Sequence, residues 1–220
     1  MIIGNGLIAN AIKGCDNEDV VLFASGVSNS VNPDMYDFKR EESLIRHSLK
    51  QNKLFVYFST VSIHDESVSH KPYIRHKLDM EHLVTMLADK YLIIRLPNII
   101  GAGGNPNTLF PFFKTQILQN KETTIEKSAK RYLLTQHQLA DMLQQLLAAN
   151  MMNKLVHCIS GDAFSVKKIY IAMAEVLRQP AKCRVIKGGV SYIVPKDFTF
   201  QHIDLTLQEM LEEFLLQSTH

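Results

Sequence analysis

The chain has 220 residues, of which 46% are hydrophobic and 21% charged, values typical of one globular domain of moderate size. Its net charge of +2 and scattered basic residues argue against a nucleic-acid-binding protein, and no apolar segment reaches the ~20 residues of a membrane span. The three cysteines, Cys15, Cys158 and Cys183, show neither paired nor metal-type spacing. The N-terminus lacks the composition of a signal peptide. We therefore expect a cytoplasmic protein with reduced thiols and no nucleic-acid, membrane or metal partner.

Apolar runs alternate with helical patterns along the chain, the rhythm of a parallel sheet with crossover helices. The predicted strands cover residues 1–3, 20–25, 54–58, 91–96 and 154–159. The predicted helices cover residues 7–13, about 33–50, 73 to about 88, about 108–119, about 136–149, about 166–177, and 205–216. We expect a Rossmann-like domain over residues 1–160 and a small C-terminal lobe, not an independent domain, over residues 161–220.

A glycine-rich turn joins the first predicted strand to the first predicted helix. Residues 4–9 (GNGLIA) fit the pattern G-x-G-x-x-A. In a dinucleotide-binding turn, Gly4 would permit the tight turn, Gly6 would leave room for a pyrophosphate, and the small Ala9 would let helix and strand approach. The N–H groups that open the helix would face the phosphates. Glycine turns also close many strands for steric reasons alone, but this position favours a dinucleotide site.

An acidic residue normally follows the glycines by about 20 positions and holds the adenosine ribose. The second strand instead ends in residues 23–26 (FASG), with Ser28 and Ser30 beyond it. Two interpretations stay open. Either this is the usual second strand of a protein that prefers a 2′-phosphate or accepts both cofactors, or the usual second and third strands are absent. The next helix leads straight into the strand that ends at Ser59 and Thr60, which favours the second interpretation.

The end of the third predicted strand carries hydroxyl side chains, and the helix that follows it carries a phenol and an amine. Ser59 and Thr60 end that strand, and Tyr73 and Lys77 stand at positions i and i+4 of the next helix, on one face. A phenol has a reference pKa of about 10, and a nearby ammonium lowers it, so we expect Lys77 to lower the pKa of Tyr73. Y-x-x-x-K alone also occurs by chance, with an exposed Lys. The whole order resembles the S-S/T-x-x-V-Y-G strand end and Y-x-x-x-K helix of the extended short-chain dehydrogenase/reductase family, also called NAD-dependent epimerases/dehydratases.

This resemblance implies a division of catalytic roles and a cofactor, NAD or NADP. In the family the Tyr exchanges a proton with a sugar oxygen, the Lys holds the nicotinamide ribose, and a Ser/Thr hydroxyl steadies the oxygen. Tyr73, Lys77 and Thr60 would take these roles, with Ser59 and Ser62 as alternatives to Thr60. The implied cofactor-binding residues are Gly4, Gly6, Leu7, Ile8, Ala24, Ser25, Gly26, Ser59, Tyr73, Lys77 and Pro97.

Two later segments extend the resemblance. Residues 95–104 (RLPNIIGAGG) are similar to the family's R-x-x-N-x-x-G-x-G, and residues 130–140 (KRYLLTQHQLA) to a drifted R-x-Y-V-H-V-D-D-V-A that lacks its acids. They imply that Asn98 and Arg131, together with Ser62, bind the substrate, although Arg131 fits a surface cation equally well. The nine histidines show no zinc-type spacing, and three near the site are expected at the surface: His64, His70 and His76.

The sequence therefore predicts an α/β fold: a Rossmann-like parallel sheet with helices on both faces, reduced in its adenine-binding half, with a small C-terminal lobe. The resemblance implies an NAD(P)-dependent oxidoreductase, epimerase or dehydratase that acts on a nucleotide-activated sugar in surface-polysaccharide (O-antigen, lipopolysaccharide) biosynthesis, and a homodimer. The alternative is a non-catalytic Rossmann domain that senses cofactor or serves as an assembly partner. The shortened adenine half and the small lobe motivate that alternative.

Overall fold

The structure, a computed structural model, describes residues 1–28, 34–49, 53–102, 105–106, 108–201 and 204–217. Its strands are β1 (Ile2–Ile3), β2 (Val20–Phe23), β3 (Leu54–Thr60), β4 (Tyr91–Leu96), β5 (Asn98–Ile100), β6 (Thr123–Glu126), β7 (Lys130–Arg131), β8 (Leu133–Thr135), β9 (Lys154–His157), β10 (Phe164–Ser165) and β11 (Cys183–Ile186). Its α-helices are α1 (Leu7–Ala11), α2 (Met35–Ser48), α3 (Pro72–Leu87), α4 (Leu109–Leu118), α5 (Gln136–Ala148), α6 (Val166–Val176) and α7 (Leu207–Gln217).

The central sheet has five parallel strands in the order β1-β2-β3-β4-β9. Because both faces are covered, its strands are continuous apolar runs, and all four residues of β2 are buried. Val56 and Phe58 pack with α5 on one face, whereas Phe55 and Tyr57 pack with α2 and α3 on the other. The predicted fold class, a Rossmann-like parallel sheet with helices on both faces, is confirmed.

The strand order bears on the two interpretations of the second strand. A doubly wound fold has the order 3-2-1-4-5-6, with its first strand in the middle of the sheet. Here β1 is an edge strand, and none of the strands in the described residues pairs with its outer side. The observed order is the one that remains when the usual second and third strands are absent.

The face on which α1 lies supports the same conclusion. Each connection from β1 to β4 steps in one direction along the sheet. Yet α1 packs with α5 on one face, and α2 and α3 lie on the other, so the first connection has the opposite hand from the next two. About 98% of such crossovers are right-handed. In a doubly wound domain, the helix after the first strand lies on the opposite face from the helices after the fourth and fifth strands. If α1 keeps that face while the second and third strands are lost, the connection from β1 to β2 has the unusual hand seen here.

The predicted helices and core strands are all present, with ends that differ by a few residues. The second strand ends at Phe23 rather than Ser25, and the third continues to Thr60. Both ends predicted for the second helix, Pro33 and Lys50, lie outside the described residues, as do Ser30, Gly103 and Gly104. The sequence did not predict the two- to four-residue strands that form the pairs β5-β8, β6-β11 and β7-β10. Such short segments carry too little periodicity to detect.

A second hydrophobic cluster lies beside the sheet and is built by α4, α6 and α7. Phe113 packs edge-to-face on Tyr170, with ring centroids 5.1 Å apart, and Phe214 contacts Phe110. The cluster draws residues from both sides of residue 160. The division at that residue stays a prediction. Among the described helices, none has the length and apolar character needed to cross a membrane.

Candidate active site

A cavity of about 740 Å³ opens where the strands β1 to β4 end. Ligands of open parallel sheets bind at this carboxyl edge. The fold brings to its wall every predicted site residue except Gly4, namely Gly6, Leu7, Ile8, Ala24, Ser25, Gly26, Ser59, Thr60, Ser62, Tyr73, Lys77, Pro97, Asn98 and Arg131. Residues far apart in the chain therefore meet in one place, and their individual roles stay predictions.

The two glycines of the first turn do different things. Gly4 has a φ of +126°, and a Cβ there would overlap the carbonyl oxygen of Ala24, so this turn requires glycine. A Cβ on Gly6 would meet no atom within 4 Å. Gly6 lines the cavity, so its missing side chain leaves open space there. Ala9, the third position of the motif, is 2% exposed and lies in the core.

The end of β3 presents two hydroxyl groups with different surroundings. The Thr60 hydroxyl accepts a hydrogen bond from the N–H of Ser62 (3.1 Å), and it lowers the pKa of the Tyr73 phenol. The buried Ser59 hydroxyl has no partner among the described residues, although it lines the cavity. A buried polar group without a partner costs about 1–3 kcal/mol, so a polar group of a ligand would find a ready partner in Ser59.

Lys77 is buried and is already engaged by two side chains. Its Nζ donates to Glu41 Oε1 (3.0 Å) and to the Tyr57 hydroxyl (3.1 Å). A Cβ on Gly26 would lie 2.5 Å from the same Nζ, so the loop after β2 packs directly on the amine. Lys77 nevertheless lines the cavity. Its position is set by contacts that the sequence motif did not include.

Glu41 is the centre of a buried hydrogen-bond network. Its carboxylate is fully buried and also accepts from the Val27 N–H (2.7 Å), the Tyr57 hydroxyl (2.7 Å) and His76 Nε2 (3.0 Å). Burial alone would raise the pKa of Glu41. The Lys77 charge and the hydrogen bonds outweigh burial and lower the pKa to about 2. Glu41 is therefore ionised at neutral pH.

Lys77 lowers the pKa of Tyr73, as expected, but other effects outweigh that lowering. Burial raises the pKa of Tyr73, and the Glu41 charge raises it further, while Lys77 and the Thr60 hydroxyl lower it. The net result is a pKa above the ordinary value for tyrosine. The motif contains the ammonium at i+4, but it includes neither the burial of the phenol, which is the largest cause, nor the Glu41 carboxylate.

The remaining wall of the cavity is rich in cations. Arg40 donates to the hydroxyl and the carbonyl oxygen of Ser25 (3.0 and 3.2 Å). Arg131 donates to the carbonyl oxygen of Lys130 (2.7 Å), and the Asn98 N–H donates to the carbonyl oxygen of Tyr132 (3.1 Å), the residue before β8. The charged lining residues are Asp37, Arg40, Asp65, Lys71, Lys77 and Arg131. Lys77 is paired with Glu41, and Arg40 lies 3.8 Å from Asp37, so Lys71 and Arg131 are the lining cations that favour an anionic ligand.

Two of the three histidines expected at the surface are not there. His76 is buried and stacks on Phe38, with ring centroids 4.1 Å apart. His64 is partly buried, and its Nε2 lies 2.8 Å from Nε2 of His157, whose Nδ1 pairs with Asp197 (2.7 Å). Burial and the neighbouring His157 lower the pKa of His64. The third, His70, is exposed as expected.

Comparison with known proteins shows similarity in structure only. No protein-family model and no curated protein sequence matches the chain. Among solved structures, RMD from Pseudomonas aeruginosa in complex with NADPH is 15% identical, with a TM-score of 0.73 over 90% of this chain and 80% of that one. The UDP-N-acetylglucosamine 4-epimerase of Methanobrevibacter ruminantium M1, in complex with UDP-N-acetylmuramic acid, is 14% identical, with a TM-score of 0.71 over 98% and 81%.

A third similar structure is a double mutant of DesIV, a dTDP-glucose 4,6-dehydratase from Streptomyces venezuelae with NAD bound. It is 12% identical, with a TM-score of 0.73 over 96% of this chain and 77% of that one. Identities this low establish the fold and leave the chemistry to the residues of the site. The chain has the fold of the extended short-chain dehydrogenase/reductase family, the NAD-dependent epimerases and dehydratases, which it matches over most of its length.

Proposed function

We propose that the protein is an NAD(P)-dependent oxidoreductase, epimerase or dehydratase that acts on a nucleotide-activated sugar. One observation carries the proposal. Tyr73, Thr60 and Lys77 converge on a single cavity whose wall combines the open space at Gly6 with the unpartnered hydroxyl of Ser59. Three solved structures of the same fold contain NADPH, NAD or a UDP-sugar, and two of them are a UDP-sugar 4-epimerase and a dTDP-glucose 4,6-dehydratase.

The cavity fits the nicotinamide half of a dinucleotide better than the adenine half. A phosphate would lie over Gly6, where no Cβ intrudes, and the Ser59 hydroxyl and the Lys77 amine are available to the rest of that half. A bound nicotinamide would supply or accept a hydride. On the adenine side, the described residues place no strand beyond β1 and no acid at the end of β2.

Three side chains of the cavity take the remaining catalytic roles. Tyr73 exchanges a proton with the sugar oxygen that is oxidised or reduced. Thr60, whose hydroxyl lowers the pKa of that phenol, holds the same oxygen. Lys77 stabilises negative charge when it develops on the phenol oxygen.

The substrate class rests on charge and on the resemblance. Arg131, Asn98 and Ser62 line the same cavity as Tyr73, and Arg40 and Lys71 add positive charge. A diphosphate would be the complementary group, because guanidinium and ammonium groups both bind phosphate well. The resemblance alone supplies a role in surface-polysaccharide synthesis and a homodimer. The proposed location, the cytoplasm, rests on three cysteines without paired spacing.

One observation favours the alternative, a cofactor-sensing domain without turnover. Lys77 is paired with Glu41, which reduces the activation of Tyr73 that catalysis in this family depends on.

Two assays distinguish the enzyme proposal from the sensor proposal. Equilibrium titration with NAD, NADH, NADP and NADPH tests cofactor binding, and binding of none of them at low-millimolar concentration would refute both proposals.

Turnover is then measured with a panel of UDP-, dTDP- and GDP-sugars, by nicotinamide absorbance for oxidoreduction and by chromatography for epimerisation or dehydration. The enzyme proposal predicts turnover by the wild type and its loss in Tyr73→Phe. Tyr36→Phe is the control, since that tyrosine is 73% exposed. Binding without turnover supports the sensor, and turnover that Tyr73→Phe leaves unchanged contradicts the proposed role of Tyr73.

A further inference from the structure

Glu41 has a position that stability alone does not explain. It is fully buried on the face of α2 that packs on the sheet, and it accepts four hydrogen bonds, from Val27, Tyr57, His76 and Lys77. Removing a carboxylate and an ammonium from water is costly, and well-packed apolar residues at such places are often equally or more stabilising. The benefit of this pair therefore lies in what it does to its surroundings.

The network fixes the Lys77 amine at one place. Two of the three amine protons are directed to Glu41 and to the Tyr57 hydroxyl. The backbone of Gly26 covers the pair closely, and the adjacent Val27 N–H ties the same loop to the Glu41 carboxylate. Lys77 also lines the cavity. The amine is thus held between a buried anion and the place where a ligand would lie.

Tyr73 lies one helical turn before Lys77. The Lys77 ammonium and the Glu41 carboxylate both shift the pKa of its phenol. Besides burial, the groups that shift the pKa of its phenol are the Lys77 ammonium on its own helix, the Glu41 carboxylate from α2, and Thr60 from the end of β3. Tyr57 of β3 also interacts with it. The ammonium alone would favour a phenolate. The carboxylate, 3.0 Å from that ammonium, opposes it.

We infer that Glu41 is a positioning residue that holds Lys77 and compensates its charge, so that Tyr73 meets the substrate as a phenol and donates a proton rather than accepting one. This inference rests on the proposed function and adds the direction of the reaction: a carbonyl group on the sugar is reduced. The carbonyl carbon gains a hydride from a reduced nicotinamide dinucleotide, which is oxidised. The carbonyl oxygen takes the electron pair of the C=O π bond and then the proton of Tyr73, whose phenolate Lys77 stabilises until solvent returns a proton.

The test follows the protonation of Tyr73 directly and needs no substrate. Protein is produced with 3-fluorotyrosine, whose phenol titrates at lower pH than that of tyrosine, and each ¹⁹F resonance is followed against pH. Tyr73→Phe assigns the signal. In Glu41→Gln we expect the Tyr73 midpoint to fall by about one unit or more, because the ammonium then acts unopposed. Glu42→Gln, on the exposed face of α2, is the control and should leave the midpoint unchanged.

A second variant covers the case in which Glu41→Gln does not fold. Glu41→Gln combined with Lys77→Met removes both charges and leaves no buried ion unpaired. If the charges compensate each other, the Tyr73 midpoint stays close to that of the wild type. A midpoint that is unchanged in Glu41→Gln, or far above the wild type in the double variant, would overturn the inference. Titration with NADH and NADPH tests the proposed function separately, so either can fail alone.

Discussion

The Glu41 carboxylate and the Lys77 ammonium lie 3.0 Å apart, with side chains that are fully buried and 4% exposed. One belongs to α2 and the other to α3, so the contact ties together the two helices that cover one face of the sheet. It also connects that face to the cavity, because Lys77 lines the cavity wall. The stability of the domain and the chemistry of the site should therefore respond to the same substitutions.

Replacement of Glu41 by Gln should destabilise the protein strongly. It leaves the buried Lys77 ammonium without its counter-ion, and breaking a buried pair in this way costs about 3–5 kcal/mol. Glu42→Gln provides a matched comparison, because Glu42 pairs with Arg46 at the surface, where an ion pair contributes about 0–1 kcal/mol. Urea unfolding of the two variants measures the difference. Equal losses would show that the buried pair does not stabilise the fold.

The contribution of Glu41 should depend on pH in a defined direction. Its pKa is about 2 in the folded protein and near the ordinary 4.5 when unfolded. A depressed folded pKa means that the unfolded state binds a proton first. The stabilisation is therefore complete above about pH 4.5 and is lost as the pH falls toward 2. Urea unfolding at a series of pH values should show wild type and Glu41→Gln converging on acidification; a constant gap contradicts the assignment.

Gly26→Ala should weaken cofactor binding. The new methyl group would lie 2.5 Å from Lys77 Nζ and must displace that flexible side chain. We expect the affinity for NADH or NADPH to fall by about tenfold or more, since about 1.4 kcal/mol of lost interaction is sufficient. Gly14→Ala serves as the control, because a Cβ there meets no atom within 4 Å. Isothermal titration of both variants checks this, and equal affinities would show that Lys77 does not contact the cofactor.

The edge position of β1 predicts an unusual cofactor preference. An intact doubly wound domain holds the adenosine half between its first and second strands. The described residues provide no such second strand, so adenosine should add little binding energy. We expect reduced nicotinamide mononucleotide to bind within about tenfold of NADH, a difference of about 1.4 kcal/mol or less. Competition titrations measure this ratio. A preference for NADH of a thousandfold would mean that adenosine is bound elsewhere on the protein.

The sequence predicted the elements that place the cavity, because long periodic segments carry a strong signal. The strand ends at Ser59-Thr60 and Leu96-Pro97 and the turn at Gly4 all lie where the patterns put them. The order of the strands was only partly predictable. The absent ribose-binding acid left two interpretations, and the edge position of β1 distinguishes between them.

The buried network around Glu41 was missed for a physical reason. Charged residues are almost always exposed, so a Glu between Arg40 and Glu42 suggests a solvated helix face. A weak signal was present: Glu41 follows Phe38 by three positions and precedes Ile45 by four, the spacing of the apolar face. The short strands β6 and β11 left no comparable signal, since their pairing depends on residues about 60 positions apart.

Binding of the nicotinamide half of NAD(P) in the cavity at the ends of β1 to β4 is the claim on which the proposed function depends. The most direct measurement is a titration of wild type, Gly6→Val and Gly14→Val with NADH and NADPH, followed by nicotinamide fluorescence. We predict binding at low-millimolar concentration or tighter for wild type and Gly14→Val, and its loss in Gly6→Val, whose side chain would fill the open space at the turn. Absence of binding to the wild type, or binding that Gly6→Val leaves unchanged, would contradict the claim.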